Sequence, residues 1–114
     1  MKAAITPFFG GDLKIDQHHF ALEPVSEVDL FSNIFSRNII FEVNGETYFW
    51  NGQTFIQQND EITAEYGLLY QKTTRKNKLF SVITTSYIPL DAMIEIHEIV
   101  IVNNSKKPLN LAVT

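Results

Sequence analysis

The sequence predicts an antiparallel all-β sandwich, and three observations carry that prediction. About eight short runs rich in β-branched and aromatic residues follow one another along the chain. They are separated by Asn, Gly and Pro clusters, the residues that accept tight backbone geometry. Only one segment, near Ser26, offers even a weak helix signal, which leaves sheet packed on sheet as the way to bury the apolar faces.

In chain order, Ile5-Thr6-Pro7-Phe8-Phe9 reads as a short extended piece closed by the Gly10-Gly11 turn. Asp12-Leu13-Lys14-Ile15-Asp16 alternates apolar and polar residues, and Phe20-Ala21-Leu22 forms a further short strand ahead of Pro24. Ser26-Glu27-Val28-Asp29 has a cap residue and a carboxylate three positions on, so a helix of a turn or two is expected through Leu30. Val28, Phe31 and Phe35 have helix-face spacing there, although an irregular loop packing its aromatics down fits equally.

The strongest local signal is Asn38-Ile39-Ile40-Phe41-Glu42-Val43, then Asn44-Gly45, then Glu46-Thr47-Tyr48-Phe49-Trp50. Asn-Gly between two β-prone runs calls for a type I′ hairpin, because both central residues need positive φ. Asn51-Gly52 repeats the turn signal, and Gln53 to Ile62 is polar enough to expect a loop or edge piece. Ala64 to Thr73 and Leu79 to Tyr87 read as two strands joined at Thr74-Arg75-Lys76-Asn77. On that reading Lys72, Arg75, Lys76 and Lys78 form a solvated hairpin tip.

Met93 to Val102 is the most continuous β-branched run. The turn-rich Asn103-Asn104-Ser105-Lys106-Lys107-Pro108 follows, and then Leu109, Leu111 and Val113 alternate with polar or small residues. Within the long run Ile94 and Ile96 fall on one face and Ile99 and Ile101 on the other. A β-bulge at His97-Glu98 or burial on both sides would reconcile them, and either places this strand away from a sheet edge. The pattern stops in mid-strand at Thr114, so 1–114 is expected to be one β-sandwich domain, or part of one, within a longer polypeptide.

A chain of 114 residues supports one modest core. Its net charge of −4, with Lys and Arg scattered singly, argues against nucleic acid and against an anionic membrane surface. There is no cysteine, no apolar N-terminal leader and no run of membrane-spanning length, so the expected location is the cytoplasm.

No constellation outweighs its bland reading as a catalytic site, so no catalytic residue, metal site or cofactor is assigned. His18 and His19 are adjacent and point apart on a strand, which fits a turn pair rather than a metal site. His97 stands beside Glu95 and Glu98. Glu95 shares its side only if no bulge intervenes, and a solvated His on the polar side is the favoured reading. Asp12 with Asp16 and Asp60 with Glu61 lie in turn-like sequence. No GxGxxG, P-loop or HExxH pattern occurs. The aromatics say more. Tyr48 and Trp50 share a face, and the bland view packs both at the sheet end against Phe55. The sharper view makes Trp50 a flat platform for a sugar at a rim loop, with Asn51 and Gln53 supplying hydrogen bonds.

Three stretches together carry a resemblance. These are Ile5-Thr6-Pro7-Phe8-Phe9-Gly10-Gly11-Asp12, the strand Asn38 to Val43 leading through Gly45 to Trp50, and Leu90-Asp91 running into Ile94-Glu95-Ile96-His97-Glu98-Ile99-Val100-Ile101-Val102-Asn103-Asn104-Ser105 with Pro108. The chain resembles the N-terminal β-sandwich region of the inverting glycoside phosphorylases, which include cellobiose phosphorylase and the β-1,2-oligoglucan phosphorylases. The resemblance implies part of a galactose-mutarotase-like super-sandwich preceding an (α/α)6 barrel. On that barrel an aspartic acid protonates the leaving oxygen while phosphate attacks a β-glucoside with inversion. The implied role of this chain is structure, dimer contact and sugar positioning, with the rest of the parent enzyme, a second copy or a β-glucan as partners. A stand-alone carbohydrate-binding module and a ligand-free interaction scaffold are the alternatives.

Overall fold

The computed structural model describes residues 1–22, 37–52 and 54–114. The expected helix near Ser26, with Val28, Phe31 and Phe35, lies outside the described residues. What is described is antiparallel β-structure with a single short 3-10 turn, Phe55–Gln57. No helix among the described residues is long and apolar enough to cross a membrane.

Among the described residues, ten strands form three sheets. The N-terminal sheet joins β1 (Lys2–Ile5), β2 (Gly11–Lys14) and β3 (Phe20–Leu22) in sequence order. A second sheet has β4 (Ile40–Val43) between β5 (Glu46–Phe49) and β10 (Leu111–Val113). The third runs in the order β6 (Glu61–Gly67), β7 (Tyr70–Lys76), β8 (Phe80–Tyr87) and β9 (Ile96–Asn103).

The β4–β5 hairpin turns as its sequence requires, with φ of 53° at Asn44 and 84° at Gly45. Its alternation then points Phe41, Val43, Tyr48 and Trp50 inward. They meet Phe80 and Val82 of β8, with Ile99 and Ile101 of β9 and Leu109 packed at the margin. Tyr48 contacts Phe80 edge-on at 4.9 Å between ring centroids. This layer between the second and third sheets is the core, and Phe9 from the β1–β2 loop closes one end of it.

Three expectations are corrected. The run Ala64 to Thr73 is not one strand: it folds back at Leu68-Leu69, with Gly67 paired to Tyr70. Two leucines carry no turn chemistry, so the hairpin has no local signature; Leu69 takes φ of 70° to make it. Consequently Lys72, Arg75 and Lys76 lie on β7 rather than at a tip, and Arg75 is buried. The turn that does follow is Asn77-Lys78-Leu79, closed by the Asn77 carbonyl group of the side chain, which accepts from the Leu79 and Phe80 amides.

The second correction concerns β9. Its register with β8 is unbroken from Ile96 to Asn103, so no bulge is present. The phase slip resolves because Ile94 precedes the strand and is exposed, whereas Ile99 and Ile101 face the core. Third, among the described residues β9 ends the four-stranded sheet and is therefore an edge, with Val100 and Val102 exposed on its outer side. The turn after it carries the chain across to the other sheet, where Leu111 and Val113 pair with Val43 and Phe41.

Candidate functional site

Strand parity decides the fate of the predicted rim site. Trp50 follows β5 on the same side as Tyr48, so its indole enters the core and is only 3% exposed. Phe9 stacks on it with centroids 3.7 Å apart at 19°, and His97 meets it edge-on at 4.8 Å. The indole Nε1–H donates to Thr84 Oγ1 at 2.7 Å. Asn51 is fully buried, and its carbonyl accepts from Arg75 Nη2 at 3.0 Å. Gln53 lies outside the described residues. Trp50 thus presents no ring face to a sugar in this structure. Phe55, expected to pack against it, is instead exposed. The plug comes from Phe9, a partner 41 positions away that no local spacing signals.

Beneath the Trp50 ring lies a buried polar chain. With no bulge in β9, His97 faces inward beside Ile99, and Glu95 reaches the same side, within 3.3 Å of His97 Nε2. This corrects the solvated reading of His97. Its Nδ1 shares a hydrogen bond of 2.8 Å with Ser86 Oγ on β8. Arg37 Nε donates to Glu95 Oε2 at 2.8 Å, and the same guanidinium donates to the Asp12 and Phe9 carbonyls at 3.1 and 3.5 Å. Burial pushes the Glu95 carboxyl up, but hydrogen bonds and charge from His97 and Arg37 outweigh it and hold the group below its ordinary value of 4.5.

Ser86, His97 and Glu95 lie in the order of a nucleophile, a base and an orienting carboxylate. Access argues against that role. Ser86 is 2% exposed near the end of β8, and the Glu95 charge is engaged by Arg37. The chain of bonds ties the N-terminal sheet to β8 and β9 across the core edge.

Ser86 and Gln71 do line one side of an open cavity of about 680 Å³ between β1, the β6–β7 hairpin and the segment after β8. Its walls are Ile5, Tyr66, Leu69, Tyr70, Tyr87 and Met93. The phenol of Tyr70 donates to Glu65 Oε1 at 2.7 Å, and that neighbouring carboxylate raises its pKa. Three tyrosines with Gln71 and Asp91 make this an aromatic-lined concavity open to solvent. It went unread because its parts come from three separated segments. Elsewhere, His18 and His19 occupy a turn whose Asp16 carboxylate accepts from both amides and from the His19 ring. No group of three metal-ligating side chains occurs among the described residues.

Residues 41–114 match the family model described as glycosyl hydrolase 94, supersandwich domain. That span runs from β4 to β10 and takes in both sheets of the core. No curated protein and no solved structure matches the chain.

Proposed function

The chain belongs to the glycosyl hydrolase 94 supersandwich domain family, and on that premise we propose that it serves as the non-catalytic N-terminal β-sandwich module of an inverting glycoside phosphorylase. Its work is to brace the parent enzyme, contribute a dimer contact and help position a β-glucan or oligosaccharide. The carrying observation is the family match across both core sheets. The resemblance to phosphorylases along the Ile5–Asp12, Asn38–Trp50 and Leu90–Pro108 stretches supports the finer reading. For sugar contact the tyrosine-lined cavity is the favoured surface, because the Trp50 ring is enclosed by Phe9 and His97.

Incubating the chain with cellobiose or β-1,2-oligoglucan and inorganic phosphate is expected to release no glucose 1-phosphate. Turnover by these residues alone would overturn the non-catalytic role. The reading frame in the genome is expected to continue past Thr114 into a helical barrel, and a stop codon there would overturn the parent-enzyme assignment. Calorimetric titration with β-glucans tests the sugar contact: binding abolished by Tyr70→Ala supports the cavity, and no binding removes it.

A further inference from the structure

The sequence contains two Asn-Gly pairs, Asn44-Gly45 and Asn51-Gly52, and the fold treats them oppositely. Both glycines take positive φ, 84° and 74°. At the first pair both residues are exposed, and nothing crowds Gly45. Among the described residues no backbone hydrogen bond engages the Gly45 amide. At the second pair Asn51 is fully buried, and the Gly52 amide donates to the Phe49 carbonyl at 2.8 Å. The Arg75 guanidinium lies against Gly52.

We propose that Asn44 is a self-modification site, at which the side-chain amide is exchanged for a carboxylate with solvent water as co-reactant, and that Asn51 is spared. The Gly45 nitrogen gives up its proton and adds to Asn44 Cγ, and a cyclic imide closes as ammonia leaves. Water then opens one of the two imide carbonyls, leaving an aspartyl or an isoaspartyl residue. The sum is asparagine and water in, aspartate of either linkage and ammonium out. Gly45 has no Cβ to shield its nitrogen. Asn44 Oδ1, the oxygen that gains negative charge during the addition, already accepts from the Asn110 amide at 3.1 Å.

That contact also gives the modification a structural consequence. Asn44 donates its own amide to the Asn110 carbonyl at 3.0 Å, so the two residues extend the β4–β10 ladder one step past Val43 and Leu111. An isoaspartyl linkage routes the main chain through the former side chain and lengthens it by a methylene group, so this step no longer closes in register. The new carboxylate also stands between Glu42 and Glu46 in the sequence, and β10 has only three residues, all exposed. Modification therefore loosens β10 from its sheet.

The inference is independent of the sugar chemistry proposed above. The test incubates the whole chain, folded and in urea, in mildly alkaline buffer and follows both sites by peptide mass spectrometry, which reads the exchange of NH2 for OH. In the folded chain Asn44 is expected to convert at least roughly tenfold faster than Asn51, and in urea the two rates should converge. Gly45→Ala should slow conversion at Asn44 and leave Asn51 as it was. In the converted, more acidic fraction, the amides of Leu111 to Val113 should exchange hydrogen faster than in the unconverted chain. Equal rates at the two sites in the folded chain would overturn the proposal. So would an Asn44 that stays intact while the chain is folded, whatever happens in urea. Unaltered exchange along β10 would overturn the structural consequence.

Discussion

Trp50 on one sheet donates its indole N–H to the hydroxyl of Thr84 on the other at 2.7 Å, and both residues are buried. This bond crosses the core and fixes the angle at which the aromatic end of β5 meets β8. Thr84→Val keeps the shape and removes the acceptor, leaving a buried donor unpaired. A loss of about 1–3 kcal/mol in urea unfolding is expected, with a shift in Trp50 emission. Unchanged stability would show that the bond contributes nothing net.

The Glu95 carboxyl is more acidic folded than unfolded, so the unfolded chain binds more protons in the window just below 4.5. Stability from this group is therefore fully present above about that pH and is lost as pH falls through the folded value. Glu95→Gln should cost about 2–3 kcal/mol at neutral pH, because Arg37 loses its charged acceptor. It should also flatten the acid limb of the stability profile. An acid limb identical to wild type would refute this.

Gly52 has φ of 74°, and a side chain there would overlap the buried guanidinium of Arg75. Gly45 has φ of 84° but open space around it. Gly52→Ala should therefore lose more stability than Gly45→Ala, about 2 kcal/mol against about 1. Equal losses in thermal unfolding would mean that Arg75 moves aside freely.

At the β6–β7 turn, Leu69 holds φ of 70° while largely exposed, so it carries backbone strain with little packing to offset it. Leu69→Gly should raise stability, by up to about 1 kcal/mol. A fall in melting temperature would show instead that the leucine side chain holds the hairpin.

How much of this was legible can be read from particular residues. Asn44-Gly45 announced its turn because both φ values are a property of those two residues. The alternation of Tyr48 with Trp50 announced that the two would share a face, and the packed view of them is the one the core bears out. Leu68-Leu69 was opaque because its turn is imposed by the pairing of β6 with β7, against local preference. That mistake displaced Arg75 from core to tip in the sequence reading. His97 was misplaced for a related reason, since the apolar slip at Ile94 looked like a bulge until the strand was seen to begin at Ile96.

The sequence by itself determined the antiparallel all-β character, the main hairpin and the shared face of Tyr48 and Trp50, because these depend on residues within a few positions of one another. Tertiary structure alone decided that Phe9 would seal Trp50, that Arg37 would engage Glu95 from 58 positions away, and that the reachable aromatic surface would be Tyr66, Tyr70 and Tyr87. Those contacts join segments whose separation along the chain carries no information about distance. They exist only once the sheets have stacked.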